Sequence, residues 1–125
     1  MKDTCLMLRM IAVALLLGGS FAAAQGVTTS GSGVSVRALD KLTGKVRDFD
    51  IADRQSKTVG RITITANECR YPQGNPAGDA YASLTIDEIG KATPAFQGWM
   101  IASSPALNAM DHQRYDVWVL RCTTS

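Results

Sequence analysis

TVGRITITANEC, residues 58–69, is the stretch that decides the fold class of this chain. Apolar residues at Ile62, Ile64 and Ala66 alternate with polar ones, which is the pattern of a half-buried antiparallel strand. Cys69 has the opposite parity to these residues. Either a β-bulge or the end of the strand must therefore precede it.

Five further segments read as strands. Two of them begin at Val34 and at Val46. The other three cover residues 79–88, 96–102 and 115–122. Polar residues ending in Gly44 separate the first two and predict a hairpin. The last segment is apolar on both faces, which is typical of a central strand.

Two connecting segments complete the pattern. Residues 71–78 are rich in proline and glycine and predict an exposed loop. Ser104 and Pro105 fit the N-cap and first position of a short helix or 3-10 turn over residues 103–110. With no sustained helical period among these segments, we predict an all-β fold: a small antiparallel sandwich or barrel of about six strands with one such turn and one disulfide.

The N-terminal segment has the order of a signal peptide. Lys2 and Arg9 precede an uncharged run from Met10 to Ala24 that ends in three alanines. That run has 15 residues, short of the ~20 that a spanning helix needs, so we expect cleavage after Ala24 and no uncleaved membrane anchor. Residues 25–33, rich in glycine, serine and threonine, predict a flexible tether, and residues 34–125 a single β domain.

The net charge and the cysteine content restrict the functional classes to which the protein could belong. The whole chain carries 13 Lys and Arg against 11 Asp and Glu, and removing residues 1–24 leaves a net charge of +1. The sequence contains no cluster of lysine and arginine with interleaved aromatic residues, which is the pattern that predicts nucleic-acid binding. Cys69 and Cys122 are the two cysteines left after cleavage, and in an oxidising compartment they predict a disulfide. They lack the spacing of a redox or zinc motif.

The search for catalytic groups finds one weak candidate set. His112 could serve as a general base for Ser103 or Ser104, but neither serine lies in a Gly-x-Ser-x-Gly motif. We therefore predict no catalytic, cofactor-binding or metal-binding residues. The alternative is a weak hydrolase that uses these three residues.

The stretch from Phe96 to Cys122 has more large apolar residues than one small core needs. Strands that are apolar on both parities either lie between two layers or show one face to a partner. We therefore predict a partner interface on this part of the chain, with six residues as candidates: Trp99, Ser104, Pro105, Leu107, Tyr115 and Trp118.

The same stretch resembles a known family. The run from Gly98 to Leu107, then His112, Tyr115 to Val119 and Cys122, is similar to the signature of the secreted family known as domain of unknown function 2155. The resemblance extends from about Val36 to Cys122. It implies a periplasmic protein, peripherally associated with the outer face of the inner membrane, as an accessory subunit of respiratory complex I, the proton-pumping NADH:quinone oxidoreductase.

Two functions are therefore predicted side by side. The first is a non-enzymatic periplasmic interaction protein docked on complex I, where it supports assembly or stability. The alternative is a free periplasmic β domain that binds a small molecule or an envelope component, or acts as the weak hydrolase described above.

Overall fold

A computed structural model describes residues 26–125, so the predicted signal peptide at residues 1–24 lies outside the described residues. This part of the chain forms eight strands and one 3-10 helix, and the predicted all-β class is confirmed. The elements are β1 (Thr28–Ser30), β2 (Gly33–Asp40), β3 (Val46–Ala52), β4 (Ser56–Val59), β5 (Ile62–Pro72), β6 (Tyr81–Glu88), β7 (Phe96–Ile101), the 3-10 helix (Pro105–Asn108) and β8 (Tyr115–Thr123).

The strands form two antiparallel sheets packed as a sandwich. The five-stranded sheet has the order β1-β5-β6-β7, and β4 also pairs with β5. The two short strands share one side of β5, because β4 pairs with its first four residues and β1 with its last three. The three-stranded sheet has the order β3-β2-β8.

The core lies between the facing sides of the two sheets. Alternating residues point inward from the long strands, as their period-two pattern predicts. Those with the least exposure include Val34 and Val36 of β2, Ile62 and Ile64 of β5, Leu84 and Ile86 of β6, and Val117 and Val119 of β8.

A β-bulge explains the parity of Cys69. The register between β5 and β6 shifts between Ala66 and Glu68, which leaves Asn67 as an exposed extra residue. Cys69 consequently points inward like Ala66. It forms the predicted disulfide with Cys122 of β8, with a Cα–Cα distance of 5.6 Å, and both cysteines are buried. The disulfide joins the two sheets.

Three expectations about the strands are wrong. The predicted tether at residues 25–33 contains β1 and the first residue of β2, because backbone pairing with the end of β5 orders a sequence that has little apolar area to bury. The segment from Thr58 to Cys69 is not one strand, because Gly60 adopts φ 57° and the chain turns there between β4 and β5. The final strand is an edge strand of the three-stranded sheet, not a central one.

Candidate interaction surface

The two strands that read as apolar on both faces are both sheet edges. β7 is the last strand of the five-stranded sheet and β8 is the last strand of the three-stranded sheet. They approach each other across the sandwich, and the 3-10 helix lies in the connection between them. The six predicted interface residues therefore lie on elements that adjoin at one edge of the sandwich, although they do not all face outward.

The 3-10 helix is held by a few hydrogen bonds and buries none of its own residues. The Ser104 backbone N–H donates to the Ile101 carbonyl at 3.1 Å, and the Asn108 side-chain amide donates to the Trp99 carbonyl at 2.8 Å. Ser104 is the cap residue by position, but its side chain makes no capping hydrogen bond. Leu107 projects into solvent with 74% of its surface exposed.

An open groove of about 330 Å³ separates the 3-10 helix from β8. We call it the edge groove, lined by Pro105, Ala106 and Ala109 on one side and by Asp116, Val117 and Trp118 on the other. Asp116 is the one charged residue of that lining. In residues 26–125 it forms no ion pair.

The two tryptophans flank this side of the sandwich. Trp99 lies opposite Ser83 on the outer face of the five-stranded sheet and is 43% exposed. Trp118 lies opposite Arg37 on the outer face of the three-stranded sheet and is half-buried. Neither indole belongs to the buried core, so both are available to a partner.

Tyr115 does not belong to the surface, and its prediction as an interface residue is wrong. It has the parity of Val117 and Val119, which point into the core, and it is 2% exposed. Its hydroxyl accepts a hydrogen bond from the Arg61 backbone N–H at 3.0 Å, beneath Gly60. The side chain therefore closes one end of the sandwich.

The outer face of the three-stranded sheet adds apolar area that the sequence reasoning missed. Leu39 lies opposite both Val46 of β3 and Asp116 of β8. Val46 is 55% exposed, while Leu39 is half-buried. The parity of Leu39, opposite to that of the inward Val34 and Val36, is the signal in the sequence that places it on this face.

The candidate hydrolytic residues have other partners. The Ser103 hydroxyl donates to Asp79 Oδ2 at 2.6 Å, and its backbone N–H donates to Asp79 Oδ1 at 2.9 Å. Burial raises the pKa of the Asp79 carboxyl, but hydrogen bonds from Ser103 and the Ala80 backbone outweigh it, so the pKa is lowered overall. Ser103 thus ties the end of β7 to the loop before β6.

His112 is bound on both of its ring nitrogens. Nδ1 accepts hydrogen bonds from the backbone N–H groups of Arg114 at 3.0 Å and Tyr115 at 3.1 Å. The ring proton is therefore on Nε2, which lies 3.1 Å from Glu88 Oε2. The hydrogen bond from His112 is the main cause of a lowered pKa of the Glu88 carboxyl. The structure does not pair His112 with either serine.

A second cavity, of about 250 Å³, lies at the end of the sandwich and is lined by charged and apolar residues. Its carboxylate, Asp40, accepts hydrogen bonds from Arg114 Nε at 3.1 Å and Nη2 at 3.0 Å. These bonds are the main cause of an Asp40 pKa of about 2. Asp40 is therefore already neutralised by Arg114.

Within residues 26–125 there is no cluster of three or more His, Cys, Asp or Glu side chains that could hold a metal ion. The same residues include no helix with the length and apolar character to cross a membrane.

Comparison with known proteins assigns this sequence to a family. The family described as "Uncharacterized protein conserved in bacteria (DUF2155)" matches residues 34–122. The chain belongs to this family. The predicted family resemblance is thereby confirmed. The matched range contains the disulfide, the edge groove and both tryptophans, whereas β1 lies before it.

One relative is an uncharacterized protein of Rickettsia prowazekii (strain Madrid E), RP359. It is 30% identical over 88 residues, which is 68% of this chain and 57% of the relative. The DUF2155 chain thus spans little more than half the length of that protein. No solved structure matches the DUF2155 chain described here.

Proposed function

We propose that this DUF2155 chain is a non-enzymatic periplasmic interaction protein that docks on a membrane protein complex through the side formed by β7, the 3-10 helix and β8. The observation that carries the proposal is that two edge strands with apolar outer residues converge on one exposed 3-10 helix beside an open groove. Respiratory complex I is the proposed partner.

The core uses only some of the apolar residues on this side. Phe96, Met100 and Tyr115 are buried, whereas Trp99, Leu107 and Trp118 keep surface on the outside. Exposed aromatic residues next to a groove are the usual anchors of protein interfaces, where a few side chains contribute most of the binding free energy. A surface of this composition favours a protein partner.

The geometry favours docking over hydrolysis. A serine nucleophile needs a hydrogen-bonded base, but the Ser103 hydroxyl donates to Asp79, and His112 is bound to Glu88 and to backbone N–H groups. The disulfide between the sheets suits an oxidising compartment such as the periplasm. The choice of complex I among membrane complexes rests on the family resemblance. A periplasmic protein can contact only the outer ends of the membrane subunits, so we propose a role in assembly or stability rather than in electron transfer.

Affinity purification tests this proposal. A tagged chain expressed in its own bacterium should capture complex I from membranes solubilised in mild detergent. Leu107→Ala and Trp118→Ala should weaken capture about 30-fold or more each, equivalent to ~2 kcal/mol for an anchor residue. Leu42→Ala is the matched control, because Leu42 is 76% exposed but lies in the β2–β3 turn outside the groove lining.

Two outcomes would overturn the proposal. The first is that purified complex I does not contain the protein. The second is that deletion of its gene leaves the amount and the activity of complex I unchanged. A hydrolytic activity that both His112→Ala and Ser104→Ala abolish in folded protein would instead support the alternative.

A further inference from the structure

The sandwich has an open side where β3 and β4, an edge strand from each sheet, lie next to each other. A gap of about 210 Å³ separates them, and we call it the open seam. Its lining consists of Arg47, Asp48 and Phe49 of β3 and Lys57, Thr58 and Val59 of β4. β3 pairs only with β2 and β4 only with β5, so no described strand covers the seam. Since β3 and β8 lie on opposite sides of β2, the open seam is separate from the edge groove.

The outer edge of β3 carries unpaired backbone groups. The Asp40 backbone N–H donates to the Lys45 carbonyl at 2.9 Å, which marks a hydrogen-bonded pair at the start of the β2–β3 ladder. Hydrogen-bonded and non-hydrogen-bonded pairs alternate along an antiparallel ladder, and this ladder has no register shift. Val46, Asp48 and Asp50 therefore direct their N–H and C=O groups away from β2. All three residues are exposed, so these groups are open to a further strand.

The open seam carries positive charge that no described carboxylate neutralises. Arg47 and Lys57 each lie opposite a buried residue of the neighbouring strand, so the two side chains point toward each other from facing sheets. Neither forms an ion pair within residues 26–125. The carboxylate of the lining, Asp48, points to the outer face, where Arg37 Nε and Nη2 donate to its two oxygens at 2.7 and 2.8 Å. Two facing cations without a counter-charge favour an anionic ligand.

We propose that an extended segment of a partner protein pairs with the outer edge of β3 and places acidic side chains between Arg47 and Lys57. In strand addition, backbone hydrogen bonds give affinity and alternate side chains give specificity. A residue opposite Asp48 in the added strand points to the outer face, and its two neighbours point into the seam. These neighbours stand opposite Arg47 and Phe49 in non-hydrogen-bonded pairs, where side chains come closest and opposite charges stabilise the pairing.

A second copy of this chain does not fit the site. Its β3 would present Arg47, Phe49 and Ile51 to the seam, which adds a cation and no counter-charge. A basic segment of another protein is disfavoured for the same reason. The partner segment must therefore carry Asp or Glu at alternate positions. The site uses neither Leu107 nor Trp118, so this inference goes beyond the proposed docking side and is tested separately from it.

A short synthetic peptide tests the backbone pairing. The blocked heptapeptide acetyl-TTETETT-amide reads the same in both directions, and its two glutamates flank a central threonine. Titrated into isotope-labelled oxidised mature protein at concentrations up to about 1 mM, it should shift the amide resonances of Asp48 and Asp50 and slow their hydrogen exchange, because these N–H groups gain acceptors. The same peptide with an N-methyl group on its central threonine should bind about tenfold more weakly, because one backbone donor is removed.

Charge reversal tests the acidic side chains. The peptide acetyl-TTKTKTT-amide should bind the wild-type protein about tenfold more weakly than the glutamate peptide, and the double variant Arg47→Glu/Lys57→Glu should invert this preference. Both substituted residues are exposed, so the variant should keep its fold, which thermal unfolding checks. Lys91→Glu is the matched control, because Lys91 is an exposed cation in the β6–β7 loop, outside the seam, and this variant should keep the wild-type preference.

Three results would refute strand addition at β3. The Asp48 and Asp50 amides stay unchanged at the highest peptide concentration, the N-methyl peptide binds as tightly as its parent, or the lysine peptide binds wild-type protein as well as the glutamate peptide. Leu107→Ala should weaken capture of complex I and leave the affinity for the glutamate peptide unchanged. Failure of this inference is thereby distinguished from failure of the docking function.

Discussion

Removal of the Cys69–Cys122 disulfide should cost this domain a large part of its stability. The two cysteines are 53 positions apart, so the bridge closes a loop of about 54 residues in the unfolded chain. The chain-entropy relation for such a loop gives ~4 kcal/mol at 25 °C. Because domains of this size have a free energy of unfolding of about 5–15 kcal/mol, the loss is large enough to unfold a marginal domain.

Urea unfolding of the mature protein, followed by tryptophan fluorescence, measures this loss. Reduced wild-type protein keeps both buried sulfur atoms and isolates the effect of the cross-link. The double variant Cys69→Ala/Cys122→Ala adds the loss of sulfur packing between the sheets. We expect reduction to lower the free energy of unfolding by ~4 kcal/mol, and the double variant to be at least as unstable as the reduced protein.

The double variant is also the control for the reagent, since reductant should not change its unfolding curve. A reduction effect below about 1 kcal/mol in the wild-type protein would refute the structural role of the bridge. Uptake of an alkylating agent by either cysteine in unreduced mature protein would show that the bridge does not form in the exported chain.

Three further predictions concern single positions. Gly60→Ala should destabilise the fold by about 1–3 kcal/mol in urea unfolding, because φ at Gly60 is positive and the added methyl group would collide with the Tyr115 hydroxyl; a neutral effect would contradict the turn geometry. The folded pKa of Asp40 lies below its unfolded value, so its contribution is present above pH 4 and lost as pH falls toward 2, and Arg114→Gln should flatten this part of the stability profile; an unchanged acid slope would mean that this pair does not stabilise the fold. Ser104→Ala should change stability by no more than ~0.5 kcal/mol and abolish no hydrolysis, since its side chain makes no cap hydrogen bond; a larger thermal shift would reveal a contact that the structure lacks.

The strands that sequence reasoning found are those whose apolar residues alternate. Ile62, Ile64 and Ala66 predict β5 because burial on one face leaves a period-two signal. β1 and β4 leave no such signal. Thr28–Ser30 and Ser56–Val59 are short and largely polar, and what orders them is backbone pairing with β5, a partner that no local window of the sequence contains.

One residue of the predicted interface, Tyr115, points into the core and not toward the surface. Trp118 and Tyr115 both belong to an apolar strand, and the sequence offered no parity contrast to decide which of them faces outward. The structure decides it through the partner strand, because Tyr115 lies among the inward residues and Trp118 lies opposite Arg37 on the outer face. Leu39 and Val46 were missed for a different reason. The parity of Leu39 indicates its face, but its position between Val46 and Asp116 follows from strand register and not from spacing along the chain.

The edge groove gains rigidity from the way in which β8 is attached. As an edge strand, β8 pairs with β2 alone, but each of its ends is also linked to the five-stranded sheet. At the beginning of β8, the Tyr115 hydroxyl accepts a hydrogen bond from the Arg61 backbone N–H, next to the start of β5. Near its end, Cys122 is bonded to Cys69 of the same strand β5.

These two links enclose the segment that carries Asp116, Val117 and Trp118. A strand held at both ends loses little conformational entropy when a partner binds it, so more of the contact free energy remains for affinity. The same disulfide that stabilises the fold therefore fixes one wall of the groove, while the 3-10 helix, which buries none of its residues, forms the other. Loss of the disulfide is consequently expected to weaken partner binding even under conditions in which the domain remains folded.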